Sequence, residues 1–86
     1  MLFRSLEQAI TLIKKAIELK NHDPAFYNNL GYAYQQAKEY NLAIATYQKC
    51  LEIEPSFADA YLNLGNIYKE LKQFEKSIEK IGRAHV

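Results

Sequence analysis

The side chains that could do chemistry are few and scattered in this sequence. Cys50 is the only cysteine, and His22 and His85 are the only histidines. A metal site needs several Cys, His or carboxylate ligands at close spacing, and neither histidine has such a partner. A reactive thiolate needs an exposed, electropositive setting, so Cys50, on the inner face of a predicted helix, is expected to be a buried structural thiol. The sequence therefore predicts no catalytic residue, no metal and no cofactor.

The charged residues are balanced and interleaved along the chain. Eleven Lys and Arg oppose ten Asp and Glu, giving a net charge of +1. Nucleic acid is not an expected partner, because binding phosphate backbones needs clustered cations. The carboxylates lie on predicted solvated faces, where no pocket for acid–base catalysis is implied. These patterns favour a protein that is not an enzyme.

The cellular location is predicted only from the absence of targeting signals. No apolar run approaches the ~18 residues of a membrane span, so we expect no membrane insertion. Residues 1–5 lack the charged-then-apolar order of a signal peptide. One cysteine permits no intramolecular disulfide, and a cytoplasmic location is therefore the default expectation.

An internal repeat organises the chain. Residues 27–34 read Tyr-Asn-Asn-Leu-Gly-Tyr-Ala-Tyr, and residues 61–68 read Tyr-Leu-Asn-Leu-Gly-Asn-Ile-Tyr, which is an offset of 34 residues. Beyond these octets, Ala9, Ala43 and Ser77 correspond at the same spacing. A fixed period of this length is typical of stacked helical repeats.

Apolar periodicity predicts five helices. They run over residues 6–20, 24–37, 41–54 and 58–71, and from residue 75 onward. Gly31 falls in the middle of the second helix, where it costs ~1 kcal/mol relative to Ala. A glycine at this place predicts that a neighbouring helix approaches closely.

Three helix starts carry capping signals. Ser5 with Gln8 and Ser56 with Asp59 both resemble capping boxes, in which a hydroxyl and a side chain three residues later bond reciprocally to backbone N–H groups. Asp23 precedes a proline that suits the first helical position, so we expect Asp23 to be an N-cap.

The combined spacing resembles the tetratricopeptide repeat (TPR) family. Its 34-residue pattern of an aromatic, Leu-Gly, Tyr, small, aromatic, small and Pro is matched by Tyr27, Leu30-Gly31, Tyr34, Ala43, Tyr47, Cys50 and Pro55. Ile13 and Ile81 stand where the family has the second aromatic residue. The resemblance implies an all-α solenoid of antiparallel helix hairpins with about five helices. The expected divisions are a partial repeat over 1–23 with the second helix only, a complete repeat over 24–57 and a nearly complete repeat over 58–86.

The resemblance also implies that the first helices line a concave groove that binds a peptide. The groove residues it implies are Asn28, Asn29, Tyr32, Gln35, Gln36, Leu62, Asn63, Asn66 and Lys69. Asn29 and Asn63 share one repeat position, so their amides could form a ladder against an extended peptide backbone. The alternative is that these amides tie adjacent helices together. Tyr32 could anchor a partner or serve as a contact between repeats.

Two of these positions argue against one class of ligand. Chaperone-binding members of the family carry Lys at the fifth position of the groove helix to clamp a terminal carboxylate. Asn28 and Leu62 stand there in this chain. The resemblance therefore implies that an acidic chaperone tail is not the partner.

The ends of the sequence depart from a closed repeat array. The sequence starts at a second helix and lacks the polar capping repeats that such arrays need. We therefore expect a fragment of a longer repeat protein that self-associates through uncapped repeat ends. Residues 81–86, Ile-Gly-Arg-Ala-His-Val, can be encoded by ATC GGA AGA GCA CAC GTC, which resembles a common sequencing adapter. We expect this segment to be foreign to the natural chain; the alternative is a natural, poorly fitting terminus.

The function predicted from the sequence is a protein-interaction scaffold that binds a peptide segment or helix. Two alternatives stay open. One is a non-catalytic regulatory arm of a larger enzyme, such as a glycosyltransferase or kinase. The other is a structural spacer or self-assembly segment.

Overall fold

The computed structural model describes residues 2–84, in which short turns join five α-helices. They are α1 (Leu2–Leu19), α2 (Pro24–Gln36), α3 (Tyr40–Ile53), α4 (Ala58–Glu70) and α5 (Phe74–Ala84). Helices α2 and α3 form one hairpin and α4 and α5 a second, while α1 packs against α2 and α3 against α4. The first helices of the two hairpins, α2 and α4, also contact each other. The predicted all-α solenoid of helix hairpins is confirmed.

The start of α1 differs from the prediction. The helix begins by Leu2, so Ser5 lies inside it and cannot be its N-cap. The predicted capping box of Ser5 and Gln8 is therefore wrong. The apolar period did not reveal the extra turn because it identifies a buried face and not where backbone hydrogen bonding begins.

The capping of α2 and α4 follows two different patterns. Asp23 is the N-cap of α2, and its Oδ1 accepts a 3.0 Å hydrogen bond from the backbone N–H of Ala25, as predicted. The N-cap of α4 is Phe57, which has no side-chain cap. The hydroxyl of Ser56 instead donates to Oε1 of Glu54 at 2.9 Å. The second predicted capping box is wrong because this local bond competes for the serine hydroxyl.

Both hairpin turns contain a lysine in the left-handed backbone region. Lys38 has φ 64° and Lys72 has φ 61°. The next backbone N–H reaches back to the helix in each turn, from Glu39 to Tyr34 O at 2.9 Å and from Gln73 to the equivalent carbonyl at 2.7 Å. This is the Schellman pattern that closes a helix C-terminus. It lets α3 begin at residue 40, one residue before the predicted start at 41.

The core lies between the hairpins. The largest fully buried side chains are Tyr47, Leu64, Ile67 and Cys50. The inner face of α1 packs against the edge of this core cluster through Ile10, Ile13 and Ile17. Burying a side chain of this size stabilises the fold by about 1.5–3 kcal/mol.

One glycine in each hairpin packs against a side chain of the other helix. A Cβ on Gly31 would lie 2.7 Å from Cε1 of Tyr47, and one on Gly65 would lie 2.6 Å from Cγ1 of Ile81. The predicted close approach at Gly31 is confirmed. Ile81 fills the place of Tyr47 in the second hairpin, so it fits the repeat packing, and α5 continues to Ala84. His85 and Val86 lie outside the described residues, and the adapter origin of residues 81–86 stays a prediction.

Candidate functional site

The candidate residues all lie on the two neighbouring first helices. Helix α2 has no charged side chain over Pro24–Gln36, whereas α4 carries Asp59, Lys69 and Glu70. Most candidates are exposed or half-buried. We call these the α2–α4 surface, which consists of Asn28, Asn29, Tyr32, Gln36, Leu62, Asn63, Asn66 and Lys69.

An amide pair joins the two helices within this surface. Nδ2 of Asn63 donates a 3.2 Å hydrogen bond to Oδ1 of Asn28, and both residues are half-buried. Asn29, which shares a repeat position with Asn63, is exposed instead. Asn29 and Asn63, the two asparagines of the expected ladder, therefore have different surroundings. The hydrogen bond of Asn63 matches the alternative expectation, in which an amide ties adjacent helices, because it joins α4 to α2.

Gln35 is not part of the surface, which corrects the expectation for this residue. Its side chain is buried, and its Oε1 accepts a 2.8 Å hydrogen bond from the hydroxyl of Tyr47. Burial raises the pKa of Tyr47 above its ordinary value, and the nearby Tyr32 and Cys50 add to the shift. A comparison of the two repeats in the sequence could have revealed this contact. Lys69 and Ile81 occupy the positions of Gln35 and Tyr47 in the second hairpin. Ile81 has no hydroxyl to donate, and Lys69 is exposed, so the hydrogen bond belongs to the first hairpin alone.

Tyr32 supplies the exposed aromatic ring of the surface. Its side chain is 51% exposed, although it lies between buried neighbours in the chain. Asn29 and Gln36 lie one helical turn before and after it, and both are exposed. Asn66 is its exposed counterpart on α4. The arrangement offers one phenol ring among primary amides, which suits hydrogen bonding and apolar contact and not proton transfer.

Sequence reasoning missed a second link, at the end of α4. The hydroxyl of Tyr40, at the start of α3, donates to Oε2 of Glu70. This hydrogen bond is the main cause that raises the pKa of Tyr40, with burial second. The neighbouring Lys69 is exposed and forms no ion pair within residues 2–84. Glu70 is thus engaged with α3, while Lys69 is exposed to solvent.

The groups that could do covalent or metal chemistry are placed away from this surface. Cys50 is fully buried, and burial, helped by the charge of Glu54, raises the pKa of its thiol to about 11. The predicted buried structural thiol is confirmed. Across the described residues, no three His, Cys, Asp or Glu side chains are close enough to hold a metal ion. Likewise, none of the five helices has the length and apolar character needed to cross a membrane.

Known repeat families match the sequence. Profiles described as tetratricopeptide repeat match residues 24–57 and 46–79, and a profile described as TPR repeat matches residues 5–38. The three matches together extend from residue 5 to residue 79. No curated protein sequence matches the chain.

Solved structures share the fold. The crystal structure of MamA is 28% identical with a TM-score of 0.87, and the alignment covers 93% of this chain and 47% of MamA. The TPR2B domain of yeast Sti1, in a complex with pHsp70, is 22% identical with a TM-score of 0.88 and coverage of 94% and 65%. The second TPR of Spaghetti (RPAP3), bound to the HSP90 peptide SRMEEVD, is 16% identical with a TM-score of 0.85 and coverage of 92% and 73%. The last two likenesses show the fold alone, and this chain spans about half the length of MamA.

Proposed function

The chain belongs to the tetratricopeptide repeat family, and we propose that its α2–α4 surface binds a peptide segment or helix of a partner protein. The chain acts as part of a protein-interaction scaffold, within a longer repeat protein that supplies further groove. Its one cysteine allows no intramolecular disulfide, so we place this scaffold in the cytoplasm by default.

The observation that carries the proposal is the half-exposed ring of Tyr32 among amides. Its 51% exposure is large for an aromatic residue flanked by buried ones. Tyrosine is enriched among the residues that dominate binding energy at protein interfaces. Primary amides both donate and accept hydrogen bonds, so Asn29 and Gln36 can pair with a peptide backbone beside the ring.

The charge of the surface defines the kind of peptide. The Sti1 domain is in a complex with pHsp70, and the HSP90 peptide bound to Spaghetti ends in Glu-Glu-Val-Asp. Helix α2 has no cation to meet such a tail, and Lys69 is the one cation of the α2–α4 surface. Burying unpaired carboxylates costs several kcal/mol. We therefore propose an uncharged segment as the ligand.

A display screen tests the proposal. A library of uncharged dodecapeptides is panned against the chain, and recovered peptides are measured by fluorescence anisotropy. Tyr32→Ala should weaken binding about 30-fold or more, because truncating an anchor residue costs roughly 2 kcal/mol or more, and every ~1.4 kcal/mol is tenfold. Leu42→Ala is the control, since Leu42 is similarly exposed but lies on α3. Failure to recover a binder, or equal losses in both variants, would contradict the proposal.

Self-association is a second candidate, favoured by an exposed apolar stripe on α5. Phe74 and Ile78 are 57% and 72% exposed. Their repeat counterparts on α3, Tyr40 and Ile44, pack against the core. We propose that a second copy of the chain covers this stripe, because exposed apolar residues at helical spacing favour burial against another helix.

A further inference from the structure

Two exposed apolar faces lie on helices that do not contact each other. The α5 stripe consists of Phe74 and Ile78. Leu12 and Leu19 of α1 are also largely exposed, and their spacing of two helical turns places them on one face. Within residues 2–84, the backbone of α1 approaches only α2, and that of α5 approaches only α4. The two faces therefore belong to opposite ends of the array of helices.

The face of α1 that carries these leucines also carries small side chains. Ala9 and Ala16 lie one turn before the two leucines and are half-buried. Ala43, the repeat counterpart of Ala9 on α3, is fully buried within the first hairpin. We call Ala9, Leu12, Ala16 and Leu19 the α1 stripe. Its alanines leave shallow positions that large side chains of another helix can fill.

Charges of opposite sign border the two stripes. Lys15 lies one helical turn from each leucine of the α1 stripe, and Glu75 lies one turn before Ile78 of the α5 stripe. Both are exposed, and neither forms an ion pair among the side chains that the structure describes. The last-turn cation of α5, Arg83, is already paired with Glu79 at 3.3 Å. The α1 stripe therefore has a cationic border and the α5 stripe an anionic one.

The positions of these charges favour a parallel pairing of unlike stripes. With 100° of rotation per residue, Lys15 and Glu75 lie on opposite sides of their stripes when both helices are viewed in the same direction. Parallel packing of an α5 stripe on an α1 stripe therefore places Glu75 and Lys15 on the same edge of the contact. An antiparallel pair of α5 stripes would place both copies of Glu75 on one edge, where like charges repel.

The inference rests on the proposed self-association and names the surface that the second copy supplies. We infer that the α5 stripe of one copy packs on the α1 stripe of the next, with the two helices parallel. The contact joins unlike surfaces at opposite ends, so a pair of copies keeps one free stripe of each kind. Association therefore continues beyond the dimer into open-ended chains.

Two variants that each block one stripe test this polarity. Ile78→Lys and Leu12→Lys each place an ammonium where an apolar side chain would be buried, which is costly. Each variant alone should sediment as a monomer, whereas the parent chain should grow beyond a dimer as its concentration rises. A mixture of the two should form a 1:1 dimer and stop there, because one variant keeps its α1 stripe and the other its α5 stripe. Leu42→Lys, which lies outside both stripes, should associate as the parent does.

A charge exchange tests the orientation. Lys15→Glu should weaken association about threefold or more, and the combined Lys15→Glu and Glu75→Lys variant should restore it, because an exposed ion pair is reversed and then re-formed. Unchanged association of Lys15→Glu would overturn the parallel arrangement.

The mixing experiment separates the inference from the proposal beneath it. If Leu12→Lys dimerises alone and the mixture yields no mixed dimer, two α5 stripes pack on each other. That result overturns the inference and leaves self-association standing. If the parent chain stays monomeric at every concentration, self-association fails and the inference fails with it.

Discussion

The hydroxyl of Tyr47 on α3 donates a 2.8 Å hydrogen bond to Oε1 of Gln35 on α2, and both side chains are buried. The bond joins the two helices of the first hairpin beside Gly31, where the Tyr47 ring leaves no room for a Cβ. In the second hairpin, Ile81 packs on Gly65 and Lys69 is exposed. The two hairpins therefore share their glycine packing and differ in their polar contact.

Removing the Tyr47 hydroxyl should destabilise the fold. Tyr47→Phe leaves Oε1 of Gln35 buried without its donor, which should cost about 1–3 kcal/mol in the free energy of unfolding. Urea unfolding followed by circular dichroism measures the change. Tyr32→Phe is the control. The Tyr32 side chain is exposed, so this substitution should leave the free energy of unfolding nearly unchanged. Equal stability of both variants would show that the buried bond contributes nothing.

The three glycines should respond differently to alanine. Gly31→Ala should destabilise by about 1–3 kcal/mol, because the new Cβ would overlap the rigid ring of Tyr47. Gly65→Ala should destabilise the fold by a similar amount. Its new Cβ would overlap Cγ1 of Ile81 and lie 3.3 Å from the backbone oxygen of Ser77. A Cβ on Gly82, which lies within α5, would meet no atom within 4 Å. Gly82→Ala should therefore stabilise by about 1 kcal/mol through helix propensity. Thermal unfolding of the three variants side by side distinguishes these signs.

Alkaline pH should destabilise the chain through Cys50. Burial raises the pKa of this thiol from 9.0 to about 11. Above pH 9 the unfolded chain ionises its thiol while the folded chain keeps the proton, so the folded state binds more protons and stability falls as pH rises to about 11. The raised pKa of Tyr47 acts in the same direction at higher pH. Urea unfolding as a function of pH measures the fall.

Cys50→Ala is the matched variant for this pH effect. Alanine occupies the corresponding positions 16 and 84 of the other repeats, so the small side chain suits the site. The variant should lose less stability between pH 9 and about 11 than the parent chain. A thiol reagent should also label the parent only as fast as it unfolds, because the reactive form is the thiolate. Rapid labelling at neutral pH, with the chain folded, would contradict the buried placement.

The acidic peptide bound by Spaghetti should not bind here. Asn28 and Leu62 replace the lysines of the clamp, and α2 has no cation to meet the terminal carboxylates of SRMEEVD. Fluorescence anisotropy with the labelled peptide should show no saturable binding at concentrations that saturate a chaperone-binding TPR domain. The combined Asn28→Lys and Leu62→Lys variant should gain weak, salt-sensitive binding. Tight binding by the parent chain would refute the prediction of an uncharged ligand.

A charge on the α5 stripe should prevent self-association. Ile78→Lys places an ammonium where a second copy would bury an apolar side chain, and desolvating an unpaired charge is costly. Sedimentation velocity should show the parent chain associating with rising concentration and Ile78→Lys remaining monomeric. Leu42→Lys, on the exposed side of α3, should behave as the parent does. A parent chain that stays monomeric throughout would exclude self-association.

Much of the fold is predictable because it depends on local or periodic signals. The apolar stripe locates each helix, Asp23 caps α2 directly, and Gly31 marks the approach of the neighbouring helix. The turn at Lys38 was less predictable, since its left-handed backbone carries a lysine where glycine is usual. Its position becomes clear only once the hydrogen bond from Glu39 to Tyr34 O is known.

The sequence by itself determined the helix hairpins, their 34-residue period and the helices that carry the candidate site. Tertiary structure alone decided what each candidate amide contacts. Asn63 bonds to Asn28 and not to its repeat counterpart Asn29, and Gln35 turns inward to Tyr47. The physical reason is that a repeat period fixes equivalent positions within a helix, while the rotation and offset between adjacent helices select which side chains meet. Those two quantities come from the packing of the whole core, and they decide which atoms remain for a partner.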